Sequence, residues 1–148
     1  MKDRTRPSRL PMAVGLILLA AAAVWLIVRL TGAGSSGIPG ETNRQRLEYI
    51  QSFGWETGIT HSKVEEIRIP VEFDEVYEEY NAIQRSQGFD LRKYRAHTVK
   101  KYTYEISRTD DDPVQLLADL LVENGVIIGA DVTSAEAGGL TAALAVSE

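Results

Sequence analysis

The chain begins with a long apolar segment, and shorter patterned stretches follow it. Residues 11–28 contain no charged or amide side chain. As a helix, a segment of this length extends about 27 Å, which is close to the thickness of a bilayer's hydrocarbon core. We therefore predict a membrane-spanning helix over residues 10–30, in direct contact with the lipid bilayer.

The charges beside this segment predict its orientation. Residues 1–9 carry four basic side chains and one acidic one, whereas Arg29 is the only charged residue between the apolar run and Gly40. Basic flanks stay on the cytoplasmic side. We expect a cytoplasmic tip over residues 1–9, a single-pass anchor in the cell membrane and an extracytoplasmic C-terminal part. The alternative is a cleaved signal peptide, whose apolar core is usually shorter, about 7–15 residues.

A change of composition separates the anchor from the rest. Residues 31–40 are dominated by Gly and Ser, which is typical of a short flexible linker. Residues 41–148 are long enough for one domain with a modest core.

Two helices are predicted in this domain. Thr42 or Asn43 caps a helix over residues 44–53, in which Leu47, Ile50 and Phe53 share one face. Asp74 caps a second helix over residues 75–87, with Val76, Tyr77, Tyr80 and Ile83 on its apolar face.

Four strands are predicted as well. Residues 63–70 form one, in which Ile67 and Ile69 alternate with polar residues. Residues 95–108 form another, which alternates over residues 102–106 with Val99 out of phase, so we expect a bulge near Lys100. Asn124-Gly125 then joins residues 116–123 and 126–132 in a hairpin, because these two residues favour a type I′ turn. Leu121 should face Ile128 across it, and Leu117 should face Val132.

The fold class follows from this order of elements. Three consecutive strands favour an antiparallel arrangement. We predict an α+β domain with about four antiparallel strands and both helices packed on one face of the sheet.

Seven short segments of the domain occur in a characteristic order and spacing. They are EYIQSFGW (48–55), IPVEFD (69–74), VYEEYN (76–81), QGFDL (87–91), YTY (102–104), LLVENG (120–125) and GADV (129–132). Together they resemble an uncharacterised bacterial family, the domain of unknown function 4830. The resemblance covers about residues 44–135 and implies a membrane-anchored outer domain of a kind typical of clostridial-type bacteria. It implies no reaction, substrate or catalytic residue.

Charge and cysteine content narrow the classes of function. The chain carries a net charge of −5, but the segment after Gly40 carries −9, because most of the N-terminal charges are basic. Such a domain repels nucleic acid, which we exclude as a partner. The chain has no cysteine, so disulfides and thiolate chemistry are excluded. The two histidines, His61 and His97, lack the spacing of a metal-ligand pair, and we predict no cofactor and no metal site.

Two charged clusters are candidates for docking a partner. The acidic cluster lies on the second predicted helix, and the basic cluster lies on and before the long predicted strand. The basic residues either pair with the acidic helix or meet an anionic envelope polymer. The candidates are Glu75, Glu78, Glu79, Arg92, Lys93, Lys100 and Lys101.

These features favour a non-catalytic module that binds a protein or another component of the cell envelope. The second hypothesis is an envelope hydrolase that uses two converging carboxylates as general acid and base, although the sequence identifies no such pair. The third is self-association through an exposed edge strand that ends at Pro70.

Leu18→Arg tests the membrane segment. An arginine at the centre of a spanning helix costs about 2.5–3.5 kcal/mol for insertion. We expect the variant to be depleted from the membrane fraction relative to the wild-type protein. Unchanged fractionation would contradict the anchor.

Overall fold

The computed structural model describes residues 37–108, 115–134 and 141–144. Within these residues no helix is both long enough and apolar enough to cross a membrane. The predicted cytoplasmic tip (1–9) and membrane helix (10–30) lie outside the described residues, as do residues 31–36 of the predicted linker.

The described part is an α+β domain, as predicted. It contains two α-helices, one short 3-10 helix (Leu91–Tyr94) and seven strands. In chain order the main elements are β1 (Ile38–Pro39), α1 (Asn43–Gln51), β2 (Glu56–Thr57), β3 (Lys63–Arg68), α2 (Glu75–Ser86), β4 (Thr98–Ser107), β5 (Leu116–Glu123), β6 (Val126–Ser134) and β7 (Thr141–Ala142).

The strands form one antiparallel sheet in the order β1-β6-β5-β4-β2. β3 also pairs with β4, and β7 also pairs with β6. The four long strands, β3 to β6, are the four predicted ones. Each of the three additional strands has only two residues, too few to give a periodic signal in the sequence.

Both helices begin at the caps that the sequence predicts. Thr42 caps α1 in a reciprocal capping box with Gln45. The side chain of Asp74 accepts a hydrogen bond from the backbone N–H of Tyr77 and caps α2. Gly88 follows α2 with a φ of +87°, a backbone conformation that favours glycine at a helix end.

The helices lie on opposite faces of the sheet, so the prediction that both pack on one face is wrong. Arg46 of α1 bonds to Tyr104 of β4, whereas Tyr80 of α2 bonds to Asp131 of β6. Asp131 pairs with Asp119, which pairs with Thr103. Because Thr103 and Tyr104 are neighbours in one strand, they point to opposite faces.

Each face has its own apolar core. The α1 face carries the larger core, in which Ile50, Trp55, Tyr104 and Leu120 are buried. The α2 face carries a smaller core around Ile69, Leu91, Val99, Leu121 and Ile128. Burial on both faces explains why β5 and β6 read as nearly continuous apolar runs.

The inner side of α2 is more polar than the sequence indicates. Its fully buried residues are Asn81 and Gln84, whereas Val76 is 74% exposed. Val76 therefore does not belong to the buried face on which the sequence placed it. Tyr77 and Tyr80 do pack against the smaller core.

The Asn124-Gly125 turn is confirmed, but the predicted pairing beyond it is wrong. Both turn residues have positive φ, 47° and 78°, as a type I′ turn requires. The register then shifts by one between Leu121 and Val122, so Leu121 faces Gly129 and Leu117 faces Thr133. The shift is a β-bulge at Ile128, which accommodates an extra apolar residue on the α2 face.

β4, by contrast, contains no bulge. Its pairing with β3 and with β5 is continuous through Lys100, so the bulge predicted there is wrong. Val99 points to the α2 face and is buried in the smaller core there. It therefore needs no bulge to reach an apolar environment.

The folded unit begins inside the predicted linker. Ile38 pairs with Ile127 and Pro39 with Val126, and the backbone N–H of Gly40 bonds to the carbonyl of Gly125 at 2.8 Å. Ile38 and Pro39 therefore belong to the sheet and Gly40 is bonded to the hairpin turn, although the sequence placed the start of the domain at Glu41.

Gly125→Val tests the turn. A β-branched residue resists a φ of +78°, and its Cβ would also meet the Glu41 carboxylate. We expect the free energy of unfolding to fall by about 1–3 kcal/mol, as measured by urea denaturation. Gly125→Asn meets the same carboxylate but tolerates positive φ, so it should lose less. Equal losses would mean that backbone strain is not the cause.

Candidate functional site

A groove of about 340 Å³ opens beside the hairpin turn. Its floor and walls come from β3, β4, the hairpin and Glu41, which precedes the N-cap of α1. Its volume falls within the range of small-molecule pockets. Its charged and aromatic lining residues are Glu41, Glu66, Lys100, Tyr102 and Glu123.

The groove is lined with more negative than positive charge. Its lining residues include three glutamates, Glu41, Glu66 and Glu123, and one lysine, Lys100. The side chain of Glu123 points to the α2 face with its cross-strand partner Val126, so the carboxylates that face Lys100 are those of Glu41 and Glu66. Glu66 lies directly opposite Lys100 in the β3–β4 ladder. A cross-strand pair of opposite charge is mildly favourable, so Lys100 offsets only part of the negative potential.

A contact with His97 holds the side chain of Glu123 in place. Its Oε1 lies 2.5 Å from Nδ1 of His97, and the side chain of Glu123 is 18% exposed. This contact fixes the carboxylate where the hairpin meets β4. Glu41 and Glu66 are exposed and face solvent across the groove.

A buried arginine supports the groove from beneath. Arg46 is 4% exposed, and its guanidinium lies 3.7 Å from the centre of the Tyr102 ring. It donates to the hydroxyl of Tyr104 and to the carbonyls of Gly40 and Glu41 at 2.7–2.9 Å. Carbonyls, a phenol and an aromatic face thus stabilise this cation. The arginine ties α1 to the chain entering the domain.

The seven predicted docking residues are not brought together. Glu75 and Glu79 are exposed on α2, and Glu78 forms an ion pair of 2.6 Å with Arg92. Arg92 therefore pairs with the acidic helix, one of the two roles that the sequence left open.

The predicted lysines are dispersed as well. Lys93 is exposed in the 3-10 helix. Lys100 and Lys101 are consecutive residues of β4, so they point to opposite faces of the sheet. Lys100 lines the groove, whereas Lys101 approaches Glu65 at 3.4 Å and Asp119 at 3.5 Å on the α2 face.

Two carboxylates do converge, but they are not in the acidic cluster identified from the sequence. Asp119 of β5 and Asp131 of β6 are direct cross-strand partners on the α2 face, 8% and 3% exposed. Thr103 donates a short hydrogen bond to Asp119. The hydroxyl of Tyr80 donates to Oδ1 of Asp131 at 2.7 Å.

This environment changes the ionisation of three groups. Burial, assisted by the neighbouring Asp119, raises the pKa of Asp131 to about 6 despite the hydrogen bond from Tyr80. Burial and the adjacent Asp131 raise the pKa of Tyr80. Partial burial opposes ionisation of Lys101, but Asp119 and Glu65 outweigh it and raise the pKa of that lysine.

Two glutamines of the α2 region complete the edge of β6 between β1 and β7. Gln84 accepts a hydrogen bond from the backbone N–H of Ala130 at 2.8 Å, and Gln87 donates to the carbonyl of Ala130 at 2.7 Å. Gln87 also accepts from the backbone N–H of Leu144, whose carbonyl accepts from the indole of Trp55. These side chains satisfy backbone groups that no strand covers.

Among the described residues, no group of three or more His, Asp or Glu side chains is arranged to hold a metal ion. Sequence reasoning missed Arg46, Asp119 and Asp131. The two aspartates lie at equivalent positions of paired strands, and the unexpected bulge alone decides that they face each other.

Arg46→Leu tests the buried arginine. The substitution leaves the buried Gly40 carbonyl and the Tyr104 hydroxyl oxygen without their donor, whereas the partly buried Glu41 carbonyl can bond to water. Each buried group left unsatisfied costs about 1–3 kcal/mol, so we expect urea denaturation to show a loss of about 2–4 kcal/mol. Arg44→Leu on the exposed side of α1 removes the same charge and should change stability by less than about 1 kcal/mol. Comparable losses in the two variants would contradict this role for Arg46.

Comparison with known proteins gives one match. A family model described as a domain of unknown function, DUF4830, matches residues 49–132. No curated protein and no solved structure matches the chain. The match covers more than half of the chain and runs from α1 through most of β6. The chain therefore belongs to the DUF4830 family.

Proposed function

We propose that this protein is a single-pass membrane protein whose extracytoplasmic domain binds a basic protein or another basic component of the envelope without catalysing a reaction. The apolar run at 11–28 and the basic residues before it support the anchor and its orientation. The anionic groove beside the hairpin is the observation that carries the binding role.

The chemistry of the groove favours a cationic ligand. Two carboxylates, on Glu41 and Glu66, against one ammonium group give the opening a negative potential, and the net charge of −9 after Gly40 extends it. Such a field draws in a positively charged partner and repels an acidic one. The ring of Tyr102 in the groove wall adds an aromatic surface for the stem of a lysine or arginine.

A rigid support adds to this proposal. Arg46 fixes the backbone at Glu41 by donating a hydrogen bond to its carbonyl. Groups held in place before binding lose less conformational entropy when a partner arrives. The groove is therefore a better candidate than α2, where Glu78 is already paired with Arg92.

One observation supports the alternative, an envelope hydrolase with paired carboxylates. Asp119 and Asp131 face each other, and burial raises the pKa of Asp131, as a general acid requires. Both residues are buried, and their carboxylates are bonded to Thr103, Lys101 and Tyr80. A general acid must reach its substrate, so we rank this reading second.

The experiment compares two double variants of the full chain in its native cells. Glu41→Gln with Glu66→Gln removes two carboxylates from the groove. Glu75→Gln with Glu79→Gln removes two from α2 and changes the net charge equally. Each protein is crosslinked in cells, and what co-purifies is identified by mass spectrometry.

We expect the wild type and the α2 variant to retain the same basic partner, and the groove variant to lose most of it. Loss in the α2 variant alone would place docking on the helix and overturn the groove. Capture of no specific partner by the wild type would overturn the binding role.

A further inference from the structure

α2 is held to the sheet by polar groups as much as by apolar ones. Asn81 and Gln84 are 1% and 0% exposed. Asn81 bonds to Asp90 and to the backbone N–H of Leu91, while Gln84 reaches both Ala130 and Asp131. Tyr80 adds a third contact, to Asp131. Docking of this helix therefore depends on the state of the Asp131 carboxyl group.

That carboxyl group lies in an unfavourable place for a negative charge. Asp119 is its direct cross-strand partner, and paired side chains of neighbouring strands have their Cβ atoms only about 4.5–5.5 Å apart. Like charges at this separation oppose each other, and burial strengthens the effect.

The charged groups around the pair do not neutralise it fully. Lys101 of β4 bonds to Asp119 but is shared with Glu65 of β3. From α2, Tyr80 donates to Asp131, and the ring of Tyr77 packs against Tyr80 at 5.7 Å. β7, which flanks β6 at Val132 and Thr133, contributes Thr141 and Ala142 and no titratable group. Lys63 of β3 also approaches Glu65, at 2.7 Å. Among the described residues two ammonium groups thus serve Glu65 and Asp119, and neither forms an ion pair with Asp131.

We propose that Asp131 holds a proton in the folded domain at mildly acidic pH, and that losing this proton loosens α2 from the sheet. The protonated carboxyl removes the repulsion with Asp119 and still accepts the hydrogen bond from Tyr80. Once ionised, Asp131 becomes accessible to water when α2 moves away, and this water solvates the charge and screens its repulsion with Asp119. Asp119 and Asp131 therefore act together as a proton-dependent latch, a contact that holds α2 on the sheet only while Asp131 is protonated. This latch is independent of what the groove binds.

The direction of the pH effect follows from the ionisation. The pKa of Asp131 is about 6 in the folded domain, against an ordinary value of 3.8. The docked state therefore binds this proton more tightly than an open state does. Docking is favoured at low pH and weakens as the pH rises from about 4 to about 6, beyond which the loss is complete.

Hydrogen exchange of the full-length protein in mild detergent tests the latch. The amides of α2 are compared with those of α1 in the same molecule, which corrects for the intrinsic dependence of exchange on pH. Between about pH 5 and about pH 7.5 we expect protection of α2 relative to α1 to fall about tenfold. Asp131→Asn, which has the same shape and no charge, should abolish this dependence. Glu79→Gln removes an exposed carboxylate from the same helix and should leave it intact.

A dependence that persists in Asp131→Asn, or that disappears equally in Glu79→Gln, would overturn the proposal. If the Asp131→Asn protein does not fold, the wild type still decides the matter. NMR of the side-chain carboxyl carbon of Asp131 should show a midpoint near pH 6. A midpoint near the ordinary value for an aspartate would exclude the latch.

Discussion

The register between β5 and β6 is the constraint on which the rest of the domain depends. The two-residue turn starts the hairpin in one phase, and the bulge at Ile128 shifts it by one residue. Because side chains alternate between the faces of a sheet, this shift sends Ala130 and Val132 into the larger core and Asp131 to the side of α2. Without the bulge, Asp131 would face Ala118, and α2 would lose its polar anchor.

The pairing of β5 with β6 thus determines which side chains make contacts on each face of the sheet. On the α1 face, apolar packing and the buried Arg46 fix the chain that enters the domain. On the α2 face, a smaller core is combined with a network of amides, hydroxyls and carboxylates. The stability of a buried polar network depends strongly on the charge state of its members, whereas the stability of apolar packing depends little on ionisation. A change in ionisation can therefore weaken the contacts of α2 with the sheet more than those of α1.

The sequence predicts the local elements well and the long-range arrangement poorly. Thr42, Asp74 and Asn124-Gly125 act over a few residues, so their caps and turn are confirmed. The face on which each helix lies depends on contacts distant in sequence, and that prediction failed. The groove escaped prediction for the same reason, because Glu41, Glu66 and Glu123 belong to three separate segments. Helical periodicity likewise favours Val76 as a core residue, yet the structure buries Asn81 and Gln84.

The glutamines that bond to Ala130 also affect how the protein meets other copies of itself. An unpaired strand edge is a template for an incoming strand. Here two amide side chains already occupy the donor and the acceptor of Ala130, so a foreign strand must displace both before it can add to β6. Four of the six residues of β3 are charged, and charged side chains on a strand also oppose the addition of a foreign strand. Side chains thus protect this small sheet from aggregation by edge pairing.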